Sequence, residues 1–188
     1  MNPLRWLKKK SGHYALRVSV LVAMCGHLLL ASQSIPAPSS ALIKVAYLYN
    51  FAKFVEWPPE AFANGQTSFT LCVIGTDSFV GALPSIQGKP IKGLKVEIKY
   101  FTHTNTLEAC HILFVSASEE HQVSDIVMSL QNYPVLTVAD MENFTNLGGM
   151  INFIKKEHKI HFAINVKASQ RTGLHIRSKL LKLAKIVD

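Results

Sequence analysis

The sequence predicts an α/β protein, a three-layer sandwich built on a mixed, largely parallel sheet with a late antiparallel hairpin. Short apolar runs alternate along the chain with apolar residues at helical spacing, which is typical of a parallel sheet covered by helices. Near the end, two strand patterns are separated by only residues 155–158, which fits an antiparallel hairpin. With 188 residues, of which 48% are hydrophobic, the chain is long enough for one packed domain.

The first predicted element is a helix that begins at Ser40 and ends before Trp57-Pro58-Pro59. Apolar residues surround this helix, so we expect it to be buried on more than one side. The two strands of the late hairpin are expected to add an antiparallel edge to the sheet. Strands are predicted at residues 69–74, 94–100, 111–115, 134–138, 150–154 and 159–166. Shorter helices are predicted from Asp77 to Leu83, from a capping Ser118 through Leu130, and at residues 168–173 and 178–186.

Residues 1–34 have the pattern of a secretory signal peptide. Basic side chains precede an apolar run at residues 18–31, and Ser32 and Ser34 have the spacing that a signal peptidase requires. The alternative is an uncleaved anchor, but this run is shorter than the ~20 residues that span a bilayer. We expect cleavage near Ser34, a linker at residues 35–40 and an exported domain at residues 41–188. The basic residues are Arg5, Lys8, Lys9, Lys10 and Arg17.

The charge of the chain is unevenly distributed. There are 20 basic and 12 acidic residues, which gives a formal net charge of +8. Five of the basic residues and none of the acidic ones precede residue 35, so 15 basic and 12 acidic residues remain in the predicted domain. That balance is too even for the basic surface of a nucleic-acid-binding protein, so no nucleic-acid partner is expected.

The cysteine count favours one disulfide bond. Cys25 lies in the predicted signal peptide, which leaves Cys72 and Cys110 in the exported domain. An even count in an oxidising compartment favours a cross-link, which for a loop of this length is worth about 4 kcal/mol of stability. The alternative is two buried free thiols that pack as small hydrophobic side chains.

Polar residues that follow three predicted strands suggest a small-ligand crevice. Parallel strands end at a common edge of the sheet, and ligands bind there in many α/β proteins. The alternative is that these side chains only cap the helices that follow them. The candidate crevice residues are Asp77, Ser78, Ser116 and Asp140.

The sequence shows no positive sign of an enzyme. It has no glycine-rich phosphate loop, nucleophile elbow or zinc-protease motif. His158 and His161 face opposite ways in the predicted hairpin and make a poor metal pair, and His111 is expected to be a structural histidine in a buried strand. We therefore expect no catalytic residue, no cofactor and no metal.

The C-terminal segment combines basic and apolar side chains. Such a segment can present a face to an acidic partner or to lipid headgroups. The alternative is a terminal helix whose leucines pack inward while its lysines remain in solvent. The candidate partner-binding residues are Leu174, Ile176, Arg177 and Lys179.

Five stretches of the chain resemble the YfiR family of bacterial periplasmic proteins. They are AYLYNFAKFVEWP at residues 46–58, LCVIG at 71–75, CHILFVS at 110–116, GGMINF at 148–153 and SKLLKLA at 178–184. The similarity covers about residues 41–187 in the order of the family. Some members have a second cysteine pair, one of them near residues 143–150, and this sequence does not. The resemblance therefore leaves a single bridge between Cys72 and Cys110 and gives no support to a two-disulfide redox mechanism.

The resemblance implies a regulatory function. A YfiR-like protein binds the periplasmic region of an inner-membrane diguanylate cyclase and holds it inactive. An outer-membrane lipoprotein can sequester the repressor, which releases cyclic di-GMP synthesis and favours biofilm formation. A second copy of the chain is a further candidate partner. The alternative is a periplasmic small-ligand sensor or solute-binding module that uses the strand-end crevice.

Overall fold

The computed structural model describes residues 38–62, 65–102, 106–157 and 159–187, all within one compact unit that begins at Pro38. The predicted signal peptide lies outside the described residues. The α-helices are α1 (Ser40–Phe54), α2 (Val123–Ser129), α3 (Val166–Arg171) and α4 (Ser178–Leu181). The strands are β1 (Val55–Glu56), β2 (Ser68–Ile74), β3 (Pro90–Ile91), β4 (Leu94–Phe101), β5 (Ile112–Val115), β6 (Leu136–Ala139), β7 (Ile151–Lys156), β8 (Lys159–Asn165), β9 (His175–Ile176) and β10 (Lys185–Val187). Short 3₁₀ helices span Pro59–Phe62, Val80–Ile86, Leu107–Ala109 and Ala117–Gln122.

Eight strands form one mixed sheet in the order β10-β8-β7-β6-β5-β2-β4-β3. The five strands from β7 to β4 are parallel to one another. Strand β8 runs antiparallel to β7, β3 runs antiparallel to β4, and β10 pairs in parallel with β8. Separately, β1 and β9 form a two-stranded antiparallel sheet in which Val55 pairs with Ile176. The prediction of an α/β fold with a mixed, largely parallel sheet is confirmed.

Two predictions about the C-terminal part of the fold are wrong. The late hairpin, β7–β8, does not form an edge, because β10 pairs with the outer side of β8. The last helix ends at Leu181, not at residue 186, and the chain continues into β10. The β-branched residues Ile186 and Val187 suit a strand, and their pairing satisfies backbone groups of β8 that would otherwise remain open.

Helix α1 covers one face of the sheet. The hydroxyl oxygen of Ser39 accepts a hydrogen bond from the Leu42 N–H at 3.3 Å and caps the helix, which the Trp57-Pro58-Pro59 sequence prevents from continuing. Phe51 is fully buried and contacts Phe153 and Phe162, with ring centroids 5.8 and 5.0 Å apart. The larger of two hydrophobic cores lies here, and the smaller one packs around α2. Within the described ranges, no helix is both long and apolar enough to cross a membrane.

His111 joins the start of β5 to β2 and to the end of α1. Its Nδ1 accepts a hydrogen bond from the Thr70 N–H at 3.0 Å, and its carbonyl oxygen accepts one from Trp57 Nε1 at 3.2 Å. The ring stacks on Phe69 and Phe62, with centroids 4.6 and 4.9 Å apart. Burial lowers the pKa of His111 to about 4, against a smaller opposing effect of the Ala61 carbonyl. His111 is therefore a neutral, structural histidine, as the sequence predicted.

This lowered pKa makes folding sensitive to acid. The unfolded chain takes up a proton at this residue near pH 6.5, whereas the folded chain resists protonation until about pH 4. Stability is therefore lost as the pH falls through this window, by about 2 to 3 kcal/mol. His111→Asn keeps an acceptor for the Thr70 N–H but does not titrate. Urea unfolding of both proteins between pH 7.5 and 4 measures the difference, and parallel pH dependences would contradict the assignment.

Candidate functional site

The fold brings the candidate crevice residues to one edge of the sheet. Ser116 follows β5 and Asp140 follows β6, while Asp77 and Ser78 lie in the loop after β2. Because β2, β5 and β6 are adjacent and parallel, their carboxyl ends meet at this edge. The chain connections also diverge here. From β2 the chain continues to β3 and β4 on one side of the sheet, whereas β5 is followed by β6 on the other side. This is the place where ligands bind in many open α/β sheets.

Side chains of the protein itself occupy the space beyond the carboxyl ends of β2 and β5. Gly75 has a φ of +82°, and a Cβ atom at this position would overlap the Ser118 hydroxyl and the Glu119 side chain. The Thr76 N–H donates a hydrogen bond to Ser118 Oγ at 2.9 Å, and this hydroxyl donates to Glu119 Oε1 at 3.0 Å. The prediction that Ser118 caps the helix after β5 is wrong, because α2 begins at Val123 and the Ser118 hydroxyl instead contacts Thr76 and Glu119.

The carboxylates at this edge have partners within the chain. Asp77 Oδ1 accepts hydrogen bonds from the Phe79 N–H at 3.0 Å and from the Ser78 hydroxyl at 3.4 Å. Asp140 forms an ion pair with the buried Lys44 of α1, whose Nζ also lies 5.3 Å from the centroid of the Phe79 ring. The Ser116 hydroxyl is fully buried and has no hydrogen-bond partner among the described residues. The edge is thus a mainly structural polar cluster.

Lys44 is not among the predicted site residues, although a lysine within an apolar helix indicates a buried charge that needs a partner. Lys44 lies directly before Val45 on a helix that is otherwise apolar on most sides. A lysine on the buried side of such a helix needs either a path to solvent or a buried carboxylate, because an unpaired buried charge is costly. Asp140 supplies that carboxylate, from a position 96 residues further along the chain.

We expect Asp140→Asn to lower the free energy of unfolding by about 3 kcal/mol, because it leaves the Lys44 ammonium buried without a counter-charge. The double variant Lys44→Met/Asp140→Asn should recover most of this loss, since methionine fills similar space without charge. Denaturant unfolding of the wild type, the two single variants and the double variant gives the coupling energy. A double variant as unstable as Asp140→Asn would show that the ion pair does not link the two elements.

Cys72 and Cys110 form the disulfide bond that the cysteine count favoured. Cys72 lies in β2 and Cys110 lies just before β5, with their Cα atoms 5.9 Å apart. Both residues are buried in the smaller core, where Leu113 and Leu107 pack beside them. The bond spans 38 positions and fastens two neighbouring strands close to the His111 contacts.

Replacing both cysteines by alanine should lower the free energy of unfolding by about 4 kcal/mol, because the unfolded chain regains the conformational entropy that closing a loop of this length removes. A reductant should destabilise the wild type by a similar amount and leave the Cys72→Ala/Cys110→Ala variant unchanged. Urea midpoints with and without reductant measure both effects. An unchanged wild-type midpoint, with free thiols detected on both cysteines, would contradict a stabilising bond.

Burial divides the four candidate partner-binding residues into two groups. Leu174 and Ile176 are only 1% and 5% exposed and belong to the larger core, so they are not available to a partner in this structure. The reason is the pairing of β9 with β1, which directs Ile176 inward beside Val55. Arg177 and Lys179 are exposed. The alternative, in which apolar residues pack inward and basic residues stay in solvent, describes this segment better.

Arg177 is held in place by a carboxylate at the end of α1. Its Nε donates a hydrogen bond to Glu56 Oε1 at 2.7 Å, and both side chains are about half exposed. This hydrogen bond, more than any other effect, holds the pKa of Glu56 below its ordinary value. The contact joins residues 121 positions apart and fixes the start of α4 against the end of α1.

Two large apolar side chains are exposed near Arg177, and both lie within the helix predicted at residues 178–186. Leu183 and Ile186 are 69% and 45% exposed. Leu183 lies at the mouth of a groove of about 440 Å³ between α1 and β8, which Ile43 and Tyr47 also line. We give the name C-terminal basic face to the exposed basic and large apolar side chains of this C-terminal segment, which are Arg177, Lys179, Lys182, Leu183, Lys185 and Ile186.

The fold and these surfaces define a disulfide-linked α/β protein whose strand-end carboxylates, Asp77 and Asp140, have partners within the chain. Residues 41–185 match the YfiR/HmsC-like family, and the protein belongs to that family. Members of this family are periplasmic and regulatory rather than catalytic.

Two solved structures share the fold. One is a conserved domain protein from Vibrio cholerae O1 biovar El Tor, with a TM-score of 0.56 and 10% identity over 80% of this chain. The other is an ABC domain in complex with L-Trp from Streptococcus pneumoniae, with a TM-score of 0.50 and 15% identity over 79% of this chain. In both cases the chain spans 60% of the other structure's length. At these identities the similarity concerns the fold alone.

Proposed function

We propose that this protein restrains an inner-membrane diguanylate cyclase by binding its periplasmic region, and that an outer-membrane lipoprotein relieves the restraint by competing for the repressor. Membership of the YfiR/HmsC-like family over residues 41–185 supports this proposal. The physical requirement is that the repressor binds the inactive conformation of the cyclase more tightly than the active one, since a partner shifts an equilibrium only by its differential affinity. The competing lipoprotein lowers the concentration of free repressor.

The C-terminal basic face is the surface that we propose for the cyclase. It combines large exposed apolar side chains, Leu183 and Ile186, with lysines that form no ion pair with any described residue. An interface typically needs apolar groups to bury and charges that select the partner, and this face supplies both. The observation that carries the assignment is the 69% exposure of Leu183 at the mouth of the α1–β8 groove. The complementary partner surface is acidic with an apolar side chain at its centre.

The variant Lys182→Glu/Leu183→Glu should weaken binding to the periplasmic region of the cyclase by at least about tenfold, because it removes an apolar anchor and reverses a charge. Both side chains are exposed, so the fold should be unaffected. Calorimetric titration of the purified periplasmic region measures the affinity, and cellular cyclic di-GMP should rise.

Tyr100→Glu is the matched control, because Tyr100 is also a large exposed side chain but lies on β4, near the opposite edge of the sheet. It should bind like the wild type. Undiminished binding by the folded double variant would contradict the assignment of this face. If the wild type itself does not bind the cyclase region, the proposed function is wrong.

A further inference from the structure

A second pocket, which shares no lining residue with the C-terminal basic face, lies between α2 and α3. Its volume is about 310 Å³, and its apolar walls include Val127, Leu130, Leu147 and Met150. Polar side chains also line it, namely Ser124, Gln131, Thr137, Arg171 and Thr172. A largely apolar cavity with a small number of polar groups is the usual form of a small-molecule site.

The floor of this pocket is rigid. Thr137, Leu130 and Met150 are buried, and the Met150 N–H donates a hydrogen bond to Thr137 Oγ1 at 3.1 Å. Gly148 has a φ of +96°, and a Cβ atom there would lie 3.1 Å from Val127 Cγ1. The glycine therefore allows the turn before β7 to approach α2 closely, and this approach forms one wall of the cavity. The pocket is preformed and needs no rearrangement of the core.

The rim of the pocket carries a cation and two large apolar side chains. Arg171, at the end of α3, is exposed and forms no ion pair with any described residue. Met128 and Leu147 are 59% and 44% exposed at the same pocket. A guanidinium group binds a carboxylate through two parallel hydrogen bonds, and apolar rim residues gain stability when a ligand covers them.

We propose that this α2–α3 pocket binds a compact apolar carboxylate, with the carboxylate on Arg171 and the hydrocarbon part against Val127, Leu147 and Met150. The class follows from charge and size. Arg171 is the one charged side chain in the pocket lining and is positive, and the walls are mostly apolar. The volume is near the lower end of the roughly 300–1,000 Å³ range of ligand pockets, which suits a short acid better than a nucleotide. The site is separate from the C-terminal basic face and does not depend on the proposed repressor function.

Octanoate is a suitable probe, with 1-octanol as its uncharged counterpart. We expect calorimetric titration of the exported chain to show one octanoate site. The affinity should be at least about tenfold weaker for Arg171→Gln, because a charge-assisted contact is lost. Amide resonances of Thr137 and Gly148 should shift on titration, and 1-octanol should bind more weakly than octanoate. A second variant, Leu147→Asp, should also abolish binding, since it places a negative charge at the apolar rim.

Lys167→Gln is the matched control, because it removes a positive charge from an exposed position of the same helix and Lys167 does not line the pocket. It should bind octanoate like the wild type, and circular dichroism should show that Arg171→Gln is folded. The proposal is overturned if octanoate shows no saturable binding, if Arg171→Gln binds as tightly as the wild type, or if Lys167→Gln loses as much affinity as Arg171→Gln. Cyclase binding by Arg171→Gln tests the repressor function separately.

Discussion

The attachment of β5 to β2 is the constraint on which the rest of the structure depends. The Thr70 N–H to His111 hydrogen bond and the Cys72–Cys110 bond join the two strands within three residues of each other in β2. Trp57 extends this junction to the end of α1 through the His111 carbonyl oxygen. Because α1 covers the larger core, the junction fixes the position of the helix as well as the order of the central strands. It lies at the opposite ends of these strands from the polar cluster.

The end of α1 in turn positions the C-terminal segment. Val55 and Glu56 directly follow α1, and they pair with Ile176 and His175 in the small second sheet. The alternation of side chains along these two-residue strands directs Ile176 into the core and leaves His175 on the surface. Arg177 is then held by Glu56. The exposed face that follows therefore has a fixed orientation relative to the sheet, which a specific binding surface requires.

Local patterns predicted much of this fold, and long-range contacts account for the errors. The runs at β2, β5 and β6 are continuous and apolar, so burial on both faces identified them as strands. In contrast, β10 has three residues, and only its pairing with β8 distinguishes it from the end of a helix. Contacts between distant parts of the chain also account for the Lys44–Asp140 ion pair and for the burial of Leu174 and Ile176, neither of which local patterns predicted. The apolar side of a basic segment with regularly spaced leucines can be either buried or exposed. In this fold the pairing of β9 with β1 accompanies the burial of that side at Leu174 and Ile176.

The two edge strands of the large sheet are short and poorly suited to pairing with a further strand. At one side β3 has two residues, the first of which is Pro90 and offers no N–H group. At the other side β10 has three residues and begins with the exposed Lys185. Short edge strands that carry a proline or a lysine discourage the sheets of different molecules from pairing edge to edge into fibrils. Pairing from sheet to sheet is therefore restricted even at the β10 side, where Leu183 and Ile186 are exposed.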